Sequence, residues 1–145
     1  MENKLILKGV KVLFVEINEP DFGSSITIDA TDESIRQQIE AFNNAQGLKT
    51  RFKEYVGKDG KSTMQYSVRL AKFVSVQDEA GNTYDGLDAV EPVAKQIKFT
   101  FGSEINLAVK AYEYDNKFGK GKSASVSAIR IVKGAEVKNV MDDLA

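Results

Sequence analysis

The stretch that most constrains the fold runs from Ser103 to Lys133. From Ile105 its residues alternate: Ile105, Leu107, Val109 and Ala111 share one parity, and Asn106, Ala108, Lys110, Tyr112 and Tyr114 share the other. Side chains of a strand point to opposite faces with period two, so a strand that buries the first set displays a lysine and two tyrosines in a row. Asn116 to Lys122 follows as a glycine-punctuated loop carrying Lys117, Phe118, Lys120 and Lys122. Ser123 to Val132 then returns as a second strand rich in small and β-branched residues, with Arg130 on it.

The same pattern occurs earlier in the chain. Lys49, Arg51, Lys53 and Tyr55 share a parity in Leu48–Val56, with Leu48, Phe52 and Val56 on the other. This segment forms a predicted hairpin with Ser62–Val76 through Gly57-Lys58-Asp59-Gly60-Lys61, whose Asp-Gly pair suits a tight turn. Beyond Leu70 the apolar residues change parity to Ala71 and Phe73, which predicts a bulge.

Leu5 to Ile17 reads as a long strand with apolar residues on both parities, buried twice or bent at Gly9. Ile26 and Ile28 mark a half-buried strand. Thr31 or Asp32 caps a helix in which Ile35, Ile39 and Phe42 recur on one face, and Gly47 ends it. Ile97, Phe99 and Phe101 after Pro92 predict one more strand. The sum is about seven strands and one helix, an all-β chain and the pattern of a small antiparallel barrel. The oligonucleotide-binding (OB) barrel is the member of that class whose open face and loops take single strands.

The net charge of −1 conceals an uneven distribution. Residues 1–48 carry −4, 49–72 carry +5, 73–94 carry −5, 95–133 carry +5 and 134–145 carry −2. Two basic segments can build a positive groove on a neutral molecule, because the local field attracts phosphate. Rings interleaved with cations suit sequence-blind binding of single strands: rings stack on bases and cations neutralise phosphates. The candidate binding residues are therefore Lys49, Arg51, Lys53, Tyr55, Lys110, Tyr112, Tyr114, Lys117, Phe118, Lys120, Lys122 and Arg130.

Other chemistries find less support. Without histidine the chain lacks the commonest general base and zinc ligand, and without cysteine it lacks thiolate sites and disulfides. No cofactor and no metal is expected, and no enzyme. Gly121-Lys122-Ser123 lacks both the upstream glycine and the following helix of a phosphate-binding P-loop. Asp85, Asp88 and Glu91 could hold Mg²⁺ in a nuclease, but an acidic solvated loop accounts for them more simply, and Thr83 stands where a calcium loop needs glycine. No apolar run reaches the roughly 20 residues of a membrane span, and the first residues do not read as a secretory signal.

Tyr112-Glu113-Tyr114-Asp115-Asn116-Lys117-Phe118-Gly119-Lys120-Gly121-Lys122-Ser123-Ala124-Ser125-Val126, with the closing run Ile129-Arg130-Ile131-Val132, resembles tailed-phage single-stranded DNA-binding proteins. The resemblance implies an OB-type core over residues 1–134 and a non-enzymatic protein of the host cytoplasm. Such a protein coats transient single strands in phage replication and recombination. It also implies partners among replication or recombination proteins, reached through an acidic C-terminus, and self-association. Here residues 135–145 form a short tail whose acidic cluster is Asp142 and Asp143. DNA is the expected ligand, with RNA as a variant. The alternative from a different class is a non-enzymatic interaction module that blocks or assembles other proteins, with the tyrosines and arginines as interface anchors.

Overall fold

A computed structural model describes residues 4–20, 23–117 and 119–134; Phe118 and the tail 135–145 lie outside the described residues. Strands β1 (Lys4–Glu19), β2 (Gly23–Asp29), β4 (Ser62–Gln77), β6 (Glu104–Asn116) and β7 (Gly119–Lys133) close into a ring. Around it, β1 pairs with β2, β2 with β4, β4 with β7, β7 with β6, and β6 with β1. Four of these seams are antiparallel, and β4–β7 is parallel. Short β3 (Lys53–Val56) and β5 (Thr83–Asp85) add to the two ends of β4.

One long strand can serve two neighbours because β1 bends. Its register with β6 shifts between Leu7 and Val10, where Gly9 takes φ of 68° and donates its N–H to Asn106 Oδ1 at 2.8 Å. A side chain at that φ is strained, so glycine suits the turn. The first half of β1 therefore pairs with β6 and the second with β2. The inward positions form one core that includes Leu7, Val12, Ile26, Ile28, Val68, Val76, Leu107, Val126 and Ile131.

Helix α1 (Glu33–Gln46) forms as the spacing requires. Asp32 caps it by accepting from Ser34 N–H at 2.8 Å, and Gly47 ends it in the left-handed region. It buries Ile39 and Phe42 in the barrel core. Its last turn also buries Asn43, which donates to Thr50 Oγ1 at 2.9 Å and to the Tyr66 hydroxyl at 3.3 Å.

Three sequence expectations need correction. Only Lys53–Val56 of the predicted strand from Leu48 pairs with β4, and residues 48–52 are irregular, tied instead to Asn43 and Tyr66. All four residues of β3 are exposed, and Val56, at 58%, is not in the core. The alternation at Ile97, Phe99 and Phe101 is not a strand. After α2 (Leu87–Val90), Pro92 sits in a 3₁₀ turn (Glu91–Val93), and the N–H groups of Ile97 and Phe99 bond to Val93 and Ala94 carbonyls. Finally, β4 keeps its parity: Val74 and Val76 are buried like Val68 and Leu70, while Phe73 points to solvent. A register break does fall between Leu70 and Ser75, but it leaves Phe73 on the outward parity of Arg69 and exposes Lys72, which has the parity of Leu70 and Val74.

Candidate nucleic-acid interface

Residues directly opposite one another in a ladder share a face, so the registers place each candidate side chain. Lys110, Tyr112 and Tyr114 lie on the outward face of β6, since Val109 and Ala111 are buried. Pairing of β1 with β6 ends at Lys110, and pairing of β4 with β7 begins at Ser125. Beyond those points, among the described residues, β6 and β7 continue as a two-stranded arm. Tyr112 faces Ser123, and Tyr114 faces Gly121. The Tyr114 ring lies over that glycine: a Cβ there would stand 2.5 Å from Cζ and 3.0 Å from Cε1. With exposures of 40% and 44%, Tyr112 and Tyr114 each keep a large part of the ring open to solvent.

Lys120 and Lys122 pair with Asp115 and Glu113, which places them on the opposite face of the arm from the tyrosines. Lys120 Nζ stands 3.8 Å from Asp115 Oδ2, an exposed pair of small energetic weight. Lys117 is exposed at the turn. Phe118 lies outside the described residues.

The arm overhangs a groove. Lys122 and Ser123 line one wall of a depression, Lys49 and Asn43 line another, and Ser67 and Arg69 complete it. Arg69 also lines a second depression, with Lys72, Ser125 and Tyr112. It therefore joins the two, opposite Ser25 on β2 and Ser125 on β7. Beside Arg69, Ser67 Oγ stands 2.7 Å from Oγ1 of the buried Thr27. Lys53 and Tyr55 face Gln65 and Thr63, on the same side of β4 as Arg69, and extend this surface toward the β3–β4 turn. Arg51 is exposed but lines neither depression. Among the described residues, Lys49, Arg51, Lys53, Arg69, Lys110 and Lys122 make no ion pair.

Arg130 is not brought to this groove. A bulge at Ser127 keeps it on the outer surface, but opposite Asn106 and Gln77, beside Asp78 and Glu79. From Lys110 to Asn106 is four residues, roughly 13 Å along the strand.

Arg69 and Phe14 were not singled out from the sequence. Arg69 alternates with buried Val68 and Leu70, so its outward direction was readable, but its neighbours on β2 and β7 were not. Phe14 shares parity with Val10 and Val12, which suggested core. A register shift after Val12 turns it outward opposite Thr27.

The carboxylates considered for metal binding serve the loops. Asp85 accepts from Ser75 Oγ at 2.7 Å, and Asn18 Nδ2 donates to Glu91 Oε2 at 2.8 Å and Asp88 Oδ1 at 3.3 Å. Among the described residues no cluster of three or more His, Cys, Asp or Glu side chains could hold a metal ion. The resolved shifts in ionisation lie at the β4–β5 turn. Burial alone would raise Asp78, but hydrogen bonds from Asn82, Tyr84 and the Ala80 backbone outweigh it and hold its carboxyl below the usual range. Burial and that same carboxylate push the Tyr84 hydroxyl up.

A closed five-stranded barrel with a parallel β4–β7 seam, a basic groove on its outer surface and an overhanging last hairpin defines an all-β barrel of the OB type. Two solved structures share that fold. A C-terminally truncated single-stranded DNA-binding protein from bacteriophage Enc34 matches with a TM-score of 0.61 and 17% identity, over 92% of this chain and 86% of that one. The Enc34 protein in complex with single-stranded DNA matches with a TM-score of 0.60 and 16% identity, over 94% of this chain and 90% of that one. At these identities the likeness is one of fold. No family model matches the sequence, and no curated protein matches it. No helix among the described residues is long and apolar enough to cross a membrane.

Proposed function

We propose that this chain binds single-stranded DNA with little sequence preference and coats transient single strands during phage DNA replication and recombination. The observation that carries the reading is the convergence on Arg69. Cations from β4, from the 48–52 segment and from the β6–β7 arm line two depressions that meet there, with Tyr112 at their margin. The fold shared with the Enc34 protein, which binds single-stranded DNA in one of its structures, supports it. In this reading Tyr112, Tyr114, Tyr55 and Phe118 stack on bases. Lys49, Arg51, Lys53, Lys110, Lys117, Lys120 and Lys122 neutralise phosphates, joined by Arg69, and Arg130 stands apart from them. Residues 1–134 form the binding domain and 135–145 a short acidic tail. The protein works in the bacterial host cytoplasm, without a cofactor and without catalysis, alongside replication or recombination proteins.

Titration of fluorescent oligo-dT at two salt concentrations tests this. With about five phosphates neutralised, log K should fall with log salt at a slope near −3.5, or about 10²-fold between 50 and 200 mM. Binding that ignores salt, or that favours duplex equally, would count against the reading.

Gly121 provides a subtler check. Its substitution by Ala places a methyl where the Tyr114 ring lies. The ring is the movable partner, so it should swing away while the arm stays folded. Oligo-dT affinity is then expected to fall by about 1–3 kcal/mol, the worth of one stacking contact, with a melting temperature close to wild type. Unchanged affinity would mean that the Tyr114 ring meets no base.

A further inference from the structure

The β4–β7 seam is interrupted beside the groove. Between the pairs Leu70–Val126 and Ser75–Ala128, four residues of β4 stand against Ser127 alone. Val74 turns into the core, and its carbonyl accepts from Gly86 N–H at 2.8 Å, which pins the irregular segment from the β5 side. Consecutive residues Lys72 and Phe73 both face solvent as a result, which a regular pleat does not allow. Phe73 is 79% exposed, and Lys72 Nζ stands 5.5 Å from its ring centroid. That Lys72 also lines the depression containing Arg69 and Tyr112.

We propose that Lys72 and Phe73 form a second stacking station for single-stranded nucleic acid, at the far end of the groove from Tyr114. The inference rests on the function proposed above. A lone exposed phenylalanine is ordinary on a protein surface. Three features set this one apart: it lies in a bulge that also exposes Lys72 beside it, the core and Gly86 hold that bulge, and the Lys72 ammonium already borders the basic groove. Bulges commonly re-aim a side chain next to a functional site. The ammonium covers part of the ring and can meet a phosphate, and the remaining ring surface is open to a base. Measured along β7, Tyr112 lies at the level of Ser123 and Phe73 at that of Ser127, four residues or roughly 13 Å apart. A strand filling only the groove around Tyr112 does not reach it.

The chain contains no tryptophan, so Phe73→Trp supplies a single reporter at an exposed position. Oligo-dT of about 16 nucleotides should quench its emission, whereas one of about 4 nucleotides, bound by anisotropy, should leave it unchanged. Phe73→Ala should weaken the longer oligonucleotide by about 5- to 100-fold and leave the shorter one unaffected. Unquenched tryptophan with the long oligonucleotide bound, or equal weakening of both lengths by Phe73→Ala, overturns the second station while leaving the groove intact. A wild-type chain that binds neither oligonucleotide overturns the station and the groove together.

Discussion

Replacing Tyr112 and Tyr114 together by Ala is expected to weaken oligo-dT binding by about 2–6 kcal/mol, since each ring stacked on a base is worth about 1–3 kcal/mol. In affinity this is roughly a 30-fold to 10⁴-fold loss. The two rings project from alternate positions of one strand face, so they serve neighbouring bases and their effects need not add. Stability should hardly move, because both side chains are substantially exposed and their β7 partners are Ser123 and Gly121. The paired substitution to Phe keeps the aromatic faces and removes only the hydroxyls. It should therefore bind like wild type, which separates stacking from hydrogen bonding. Lys110→Ala, on the same face, should lower affinity more modestly and reduce the salt slope by about 0.7. Isothermal titration or anisotropy at constant salt, with a thermal melt for each variant, measures all of these. An Ala pair that binds normally while melting normally would remove the aromatic part of the model.

The strands carrying these residues were legible because each has a buried face. Ile105, Leu107 and Val109 fixed which side of β6 was core, and so which side bore the tyrosines. Helix α1 was legible for a similar reason, with Asp32 and Gly47 supplying its ends. What the sequence could not convey was register. A slip of one residue moves a side chain to the other face, and several such slips occur here. Phe14 shares parity with Val10 and Val12, yet a register shift turns it outward, while Phe73 stays on the outward parity of Arg69 because β4 does not change parity where the apolar pattern suggested. Lys120 and Lys122 seemed to accompany the tyrosines, but the tight arm register puts them on its other face. The role of Arg69 depends on the parallel β4–β7 seam, a contact between segments more than fifty residues apart with no local signal. At Ile97 and Phe99 two buried apolar residues mimicked a strand while their backbones bonded locally.

The β2–β4 seam, which pairs Ser25 with Arg69, should also be the place where the fold is most easily loosened. Ile28 on β2 is fully buried, with Val12 of β1 opposite on one side and Tyr66 of β4 on the other. It thus fills the core where β2 bridges two longer strands. Truncation to Ala removes apolar contacts and leaves a cavity that the flanking ladders hold open, and such changes cost about 2–5 kcal/mol. Against a typical total of about 5–15 kcal/mol this is a large share. A chain of this length should lose roughly 6–20 °C of melting temperature. Arg69 pairs with Ser25 on the same strand, so loosening the seam acts on binding through the folded population rather than through the groove's chemistry. Well below the new melting temperature, Ile28→Ala should therefore bind oligo-dT with near wild-type affinity and an unchanged salt slope. Tyr112→Ala with Tyr114→Ala should show the reverse, normal melting with lost affinity. A melting temperature within about 2 °C of wild type for Ile28→Ala would mean that the β2 seam does not carry the barrel's closure. A changed salt slope at low temperature would mean that the groove's cations depend on this core position directly.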